Sequence, residues 1–108
     1  MGSTGPRGDM VFLAVTVTSE KGVVWIVVRG EVDLSNREQL RSRLADIDLG
    51  RAKQVYLDLR LLTFCDSAGC TYLVRFEKQA RAAGCAVRIH HVQPIVRNVM
   101  ALVAGGMG

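Results

Sequence analysis

One stretch limits what this chain can become: Val55 to Leu73, VYLDLRLLTFCDSAGCTYL. Val55, Leu57 and Leu59 alternate with Tyr56 and Asp58, which predicts a strand over 54–59 with one apolar face. A brief loop should follow. From about Ser67 to Ala83 the period changes, and Gly69, Leu73, Phe76, Ala80 and Ala83 form a helical stripe. The four residues Asp66-Ser67-Ala68-Gly69 therefore stand at a helix N-terminus, where backbone N–H groups lack partners and the dipole favours negative charge. A phosphate carried on Ser67 would be held there rather than repelled.

The remainder of the chain supplies a sheet for this unit. Met10 to Thr18 alternates, with Val11, Leu13, Val15 and Val17 on one face, and predicts a half-buried strand. Ser19-Glu20-Lys21-Gly22 carries turn chemistry, and Val23 to Arg29 is apolar nearly throughout. A short polar turn between strands predicts an antiparallel hairpin, and the continuous apolar run predicts a central second strand covered on both faces. Gly30-Glu31-Val32-Asp33 leads out of it. Ser35 and Glu38 have capping-box spacing, and Leu40, Leu44 and Ile47 follow at helical intervals, with Gly50 as a terminator. Gly84 is placed to end the second helix, Cys85 to His91 to form a fourth strand, and Pro94 to begin a last helix running to about Val103.

The order ββαβαβα predicts an α/β domain over residues 10–104. Its four-stranded mixed sheet should be antiparallel only at the first strand, with the helices mainly on one face. Residues 1–9 and 105–108 should be flexible tails. With 108 residues there is one core. The net charge of +4 comes with interleaved signs and no basic run, which argues against nucleic acid. No apolar stretch is long enough to span a bilayer and no signal-peptide core is present, so a cytoplasmic protein without membrane contact is expected. Cys65, Cys70 and Cys85 are an odd number without zinc-ligand spacing, which predicts small buried thiols, no metal and no cofactor.

Four segments together resemble the STAS domain of bacterial anti-sigma factor antagonists, in register from roughly Met10 to Val103. Gly30-Glu31-Val32-Asp33 is similar to that family's first signature and Leu57-Asp58-Leu59 to its central strand. Asp66-Ser67-Ala68-Gly69 matches the motif whose serine is phosphorylated, and Pro94, Val96, Val99 and Leu102 resemble its C-terminal helix. The resemblance implies a regulator of transcription, of the kind that acts in stress response or sporulation, working by partner switching. Unphosphorylated, it would bind an anti-sigma factor serine kinase and release a sigma factor. Phosphorylation at Ser67 would end that, and a serine phosphatase would restore it. Asp33, Asp66, Ser67, Ala68 and Gly69 would form the partner-binding surface. The chain departs from the family at Cys70, where an aliphatic residue is usual, and in stopping in glycines after the last helix. An apolar strip left open there would invite a partner or a dimer, and a monomer or weak homodimer is expected.

Plainer readings stand beside these. Ser67 and Asp33 are both residue types that cap helices. Asp58 suits a structural or surface role. His90 and His91, adjacent in a strand, should face opposite ways and cannot share a metal. Arg41, Arg43, Arg75, Lys78 and Arg81 read as solvated helix faces. Ser67 or Cys65 as a nucleophile would need a base held by a third group, and no Gly-x-Ser-x-Gly elbow or phosphate-cradling loop is present, so no enzyme is expected. The rival function is a sensory or scaffolding STAS module that binds a small ligand or builds an assembly.

Overall fold

The computed structural model describes residues 11–106. The expected N-terminal tail, Met10 and the last two residues lie outside them. The elements are β1 (Leu13–Glu20), β2 (Val23–Val32), α1 (Arg37–Ala45), β3 (Gln54–Asp58), β4 (Leu62–Cys65), α2 (Ser67–Ala82), β5 (Ala86–His90) and α3 (Pro94–Gly106). β1 pairs antiparallel with β2, and Glu20 opposes Val23 across a two-residue turn. Both turn residues, Lys21 and Gly22, have positive φ, as the twist of a tight hairpin demands. Every other pairing is parallel, and the main order is β1-β2-β3-β5.

The sheet has five strands, not four. The expected loop after β3 contains β4, which pairs with the far end of β2 through Gly30, Glu31 and Val32. β2 thus serves β3 along its first half and β4 along its last residues, with a register shift between Gly30 and Glu31. Gly30 makes this possible. It has φ +107°, and a Cβ there would stand 2.0 Å from the Phe12 carbonyl oxygen. A four-residue strand buried only at its ends, Leu62 and Cys65, carries no alternation from which to read it.

The helices cover one face. Val24, Ile26 and Val28 of β2, Val55 and Leu57 of β3 and Val87 of β5 are buried beneath them. α2 lies in the middle, touching α1 on one side and α3 on the other. The second strand is central, as expected, but its other face is open. Trp25 is 49% exposed there, stacked on Tyr56 at 4.1 Å, with His90 against Tyr56 at 5.2 Å. Crossovers that all advance in one direction leave no helix for that side. β5 ends at His90, and His91 turns with φ +55°. The two histidine rings therefore lie 5.9 Å apart rather than on opposite faces.

Two further expectations are corrected at the helices. The capping box does not form: Ser35 turns back to Asp33, and Glu38 accepts from Arg41 at 2.6 Å and from Tyr72 at 3.1 Å. α1 stops at Ala45, well before Gly50, although Leu40 and Leu44 are buried as their spacing predicts. In α2 the buried stripe is Gly69, Cys70, Leu73, Val74, Phe76 and Ala80, and Ala83 is exposed. Gly84 takes φ +94°, and α3 begins at Pro94 but continues past Val103 to Gly106. All three cysteines are buried, free thiols.

Leu73 is fully buried in the α2 stripe, so Leu73→Ala should destabilise the domain by about 2–5 kcal/mol, read as a lowered chemical denaturation midpoint. Gly69 is more confined still. A Cβ would meet Val32 Cγ1 at 2.6 Å and Cys65 Sγ at 2.7 Å. Gly69→Ala should cost roughly 1–3 kcal/mol by overpacking. A midpoint equal to the wild type's would mean that α2 can lift from β2 freely.

Candidate functional site

The rim formed by the C-terminal ends of the parallel strands gathers the motif residues. Asp66 follows β4 and its backbone N–H donates to the Val32 carbonyl at 3.0 Å, which ties the entry of α2 to the last residue of β2. Asp66 is the N-cap of α2, in extended conformation, and its Oδ1 accepts from the Gly69 N–H at 2.8 Å. The capping role offered to Ser67 by sequence is therefore filled by its neighbour. Ser67 is the first helical residue and is exposed. An exposed hydroxyl beside free backbone N–H groups, not needed for the cap, is what a modifying enzyme could reach without unfolding the helix.

Asp33 stands one residue beyond β2. Its Oδ1 accepts from the Ser35 N–H at 2.9 Å and the Ser35 hydroxyl at 2.6 Å. This is a local turn closed by an aspartate, not a helix cap. The Ser35 hydroxyl, with its backbone N–H and the nearby Arg37 charge, holds the Asp33 carboxyl below its usual value, so it stays ionised. Asn36 is the N-cap position of α1, but its side chain instead accepts from the Asp33 N–H and donates to the Glu31 carbonyl, both at 3.0 Å. The loop from β2 to α1 is thereby fastened by short side-chain bonds, and Asp33 is presented at a fixed place.

The structure thus brings Asp33, Asp66 and Ser67 to one rim. Ala68 is half-buried and Gly69 lies buried against Val32 and Cys65, so these two shape the seat of the helix. Cys65 and Cys70 flank the motif from beneath. Cys70 Sγ contacts the Cys65 carbonyl at 3.7 Å, and a hydrogen bond to Cys70, together with burial, pushes the Cys65 thiol up so that it keeps its proton.

Arg37 was missed by sequence reasoning. Its Nη2 donates to Asp66 Oδ2 at 2.9 Å, joining the start of α1 to the start of α2 across 29 positions of sequence. Nothing in the local pattern marks it, since an arginine in a first helical turn looks like surface. Also missed were Leu34, 78% exposed directly after Asp33, and Phe64, 40% exposed two residues before Asp66. Arg41, Arg43, Arg75, Lys78 and Arg81 are exposed, as expected, and three of them are also partnered: Arg41 with Glu38, Arg43 with the Val15 carbonyl, and Arg81 with Glu77 and the Val87 carbonyl. Asp58 takes the Arg60 N–H at 2.9 Å, a structural role.

A cavity lies away from this rim, beside the β1–β2 turn. It holds about 420 Å³ and is lined by Val17, Val24, Ile47, Arg43, Asp46 and Arg51, among others. Among the described residues no cluster of three or more histidine, cysteine, aspartate or glutamate side chains is disposed to hold a metal. No helix among them is long and apolar enough to cross a membrane.

Comparison with known proteins places the architecture. No curated protein is a significant sequence match. Among solved structures, the anti-sigma factor antagonist SpoIIAA in its unphosphorylated form is similar over 87% of this chain and 84% of its own, at 23% identity and a TM-score of 0.66. The phosphorylated form from Bacillus gives the same TM-score over 87% and 86%, at 22% identity. An anti-sigma factor antagonist from Mycobacterium paratuberculosis is similar over 96% and 86%, at 18% identity and a TM-score of 0.69. The murine anion transporter Slc26a9 shares the fold over 79% of this chain but 14% of its own, at 17% identity and a TM-score of 0.63. These likenesses concern the fold. The family model described as "Mlab, STAS domain" matches residues 15–105, nearly the whole of the described chain, and the chain belongs to the STAS-domain family.

Proposed function

We propose that this protein is an anti-sigma factor antagonist. In this reading its unphosphorylated form binds an anti-sigma factor that is also a serine kinase, and a sigma factor is released. Phosphorylation of Ser67 ends the interaction, and a serine phosphatase reverses it. The observation that carries the reading is Ser67 itself: exposed at the first position of α2, with the cap supplied by Asp66. The protein binds and is modified; no catalysis is assigned to it. Support comes from the likeness to antagonists of this type, one of which is solved in both phosphorylation states.

The proposed surface comprises Asp33, Asp66, Ser67 and Ala68, seated by Gly69 and flanked by Leu34 and Phe64. A phosphate adds roughly −1.5 to −2 charges. At the N-terminus of α2 that charge is tolerated, so the fold survives. The partner meets a different surface: two carboxylates and a hydroxyl become two carboxylates and a phosphate. Repulsion and bulk then oppose a contact that the hydroxyl permitted.

A second reading has its own support. The matching family model is described as "Mlab, STAS domain" rather than as an anti-sigma factor antagonist, the same fold is part of an anion transporter, and a cavity of about 420 Å³ lies apart from the Ser67 rim. In that reading the domain is a sensory or scaffolding module that takes a small ligand or joins an assembly.

Capture from native-cell lysate on the immobilised protein, followed by ATP and mass spectrometry, separates the two. The first reading expects a kinase among the captured proteins and phosphate on Ser67. Ser67→Asp should keep the fold and weaken kinase binding. Ser67→Ala should bind as wild type, accept no phosphate and change stability by less than about 0.5 kcal/mol, since Ser67 is not the cap. Phosphate on Thr63 or Thr71 instead would remove the site assignment. Capture of a multi-protein assembly with no ATP-dependent modification would establish the second reading.

A further inference from the structure

The ion pair between the two helix starts is incomplete. Arg37 and Asp66 are joined by a single contact of 2.9 Å, with side chains 30% and 22% exposed. Arg37 Nε is buried and has no hydrogen-bond partner. A guanidinium presents five donors in a planar fork, and a buried donor left without an acceptor is unfavourable. The arrangement holds a positive charge on Asp66, the neighbour of Ser67, through one of its donors, while Nε has no partner. The neighbouring arginines of α1 are committed elsewhere: Arg41 to Glu38 at 2.6 Å, and Arg43 to the Val15 carbonyl at 2.7 Å.

We propose that Arg37 receives the phosphate on Ser67, exchanging its single contact with Asp66 for a two-pronged one with phosphate oxygens. This rests on Ser67 being the modified residue. Ser67 directly follows Asp66, the residue that already holds the Arg37 guanidinium at 2.9 Å, so the guanidinium is anchored one residue from the phosphate. It carries more charge than a carboxylate and three acceptor oxygens, and an arginine fork matches it in two parallel bonds. The rotation pairs the idle Nε. It also leaves the α2 cap in place, because Gly69 is held by Asp66 Oδ1 and Arg37 by Oδ2. Asp66 Oδ2 is then released to the surface as an unpaired anion. The modification thus frees one group of the proposed contact surface, Asp66, while adding another.

Phosphoserine placed at position 67 during translation allows a direct test, by phosphorus NMR titration of the phosphate. An unperturbed second ionisation falls near pH ~6. In the wild type it should lie lower, and Arg37→Gln should raise it by roughly one unit, the scale on which an adjacent opposite charge acts. Arg37→Lys keeps the charge without the fork and should give a smaller rise. Arg41→Gln should change nothing. An Arg37→Gln titration that overlays the wild type's, or an equal shift in Arg41→Gln, overturns the proposal. If the glutamine variant fails to fold, the lysine variant decides alone: a partial rise supports the fork and no rise overturns it. Since the phosphoserine is installed without a kinase, absence of modification in the native cell would sink the proposed function and leave this titration standing. An unmoved titration would remove Arg37's role and leave the kinase assay standing.

Discussion

The seating of α2 on the end of β2 is the contact on which the rest depends. Gly69 lies where any side chain would strike Val32 Cγ1 and Cys65 Sγ, and the Asp66 N–H is bonded to the Val32 carbonyl one turn earlier. Strand and helix are therefore closer than ordinary packing allows, and the closeness sets the position of everything between them. It fixes the direction of α2, places Ser67 at the exposed start and brings Asp66 within reach of α1. It also requires β4 to lie beside β2 at Gly30, Glu31 and Val32, since Cys65 closes the other side of the same seat.

Electrostatics at the rim build on that seat. Three carboxylates stand near two helix starts: Asp33 in its own turn, Asp66 as a cap, and Glu38 bridging Arg41 and the Tyr72 hydroxyl. Each is balanced by short local donors, so none drags the loop out of place. Asp33 is held ionised chiefly by Ser35, with Arg37 contributing less. At such an exposed position the bonds orient the carboxylate more than they stabilise the fold. Orientation is what a recognition surface needs, because a partner meets charges at fixed places rather than an average of rotamers.

The opposite face of the sheet shows a different economy of covering. Without helices there, Trp25, Tyr56 and His90 close ranks across β2, β3 and β5, each ring shielding its neighbour's face. Stacking of this kind removes apolar area from water although Trp25 stays half exposed. The ladder accounts for an apolar strand that remains half in solvent.

The sequence by itself determined the order of the main elements and the place of the motif. Alternation in Val55, Leu57 and Leu59, helical spacing through Leu73 and Phe76, and the stops at Gly84 and Pro94 are local signals, carried by residues near one another in the chain. The position of Ser67 at a helix start follows from them, and the family resemblance rests on the four motif segments that lie in register with these elements. Only tertiary structure decided which residue capped that helix, because Asp66 and Ser67 are equally suited by type and differ only in backbone direction. β4 was likewise undecided: four residues have no period, and their pairing exists because Gly30 lets β2 shift register against a distant segment. The open face of β2 could not be read from its apolar run, since Trp25 and Ile26 look alike until the crossovers choose a side. Arg37 was invisible for the same reason. Its partner is 29 residues away, and a charge acquires meaning only when the fold has decided what stands next to it.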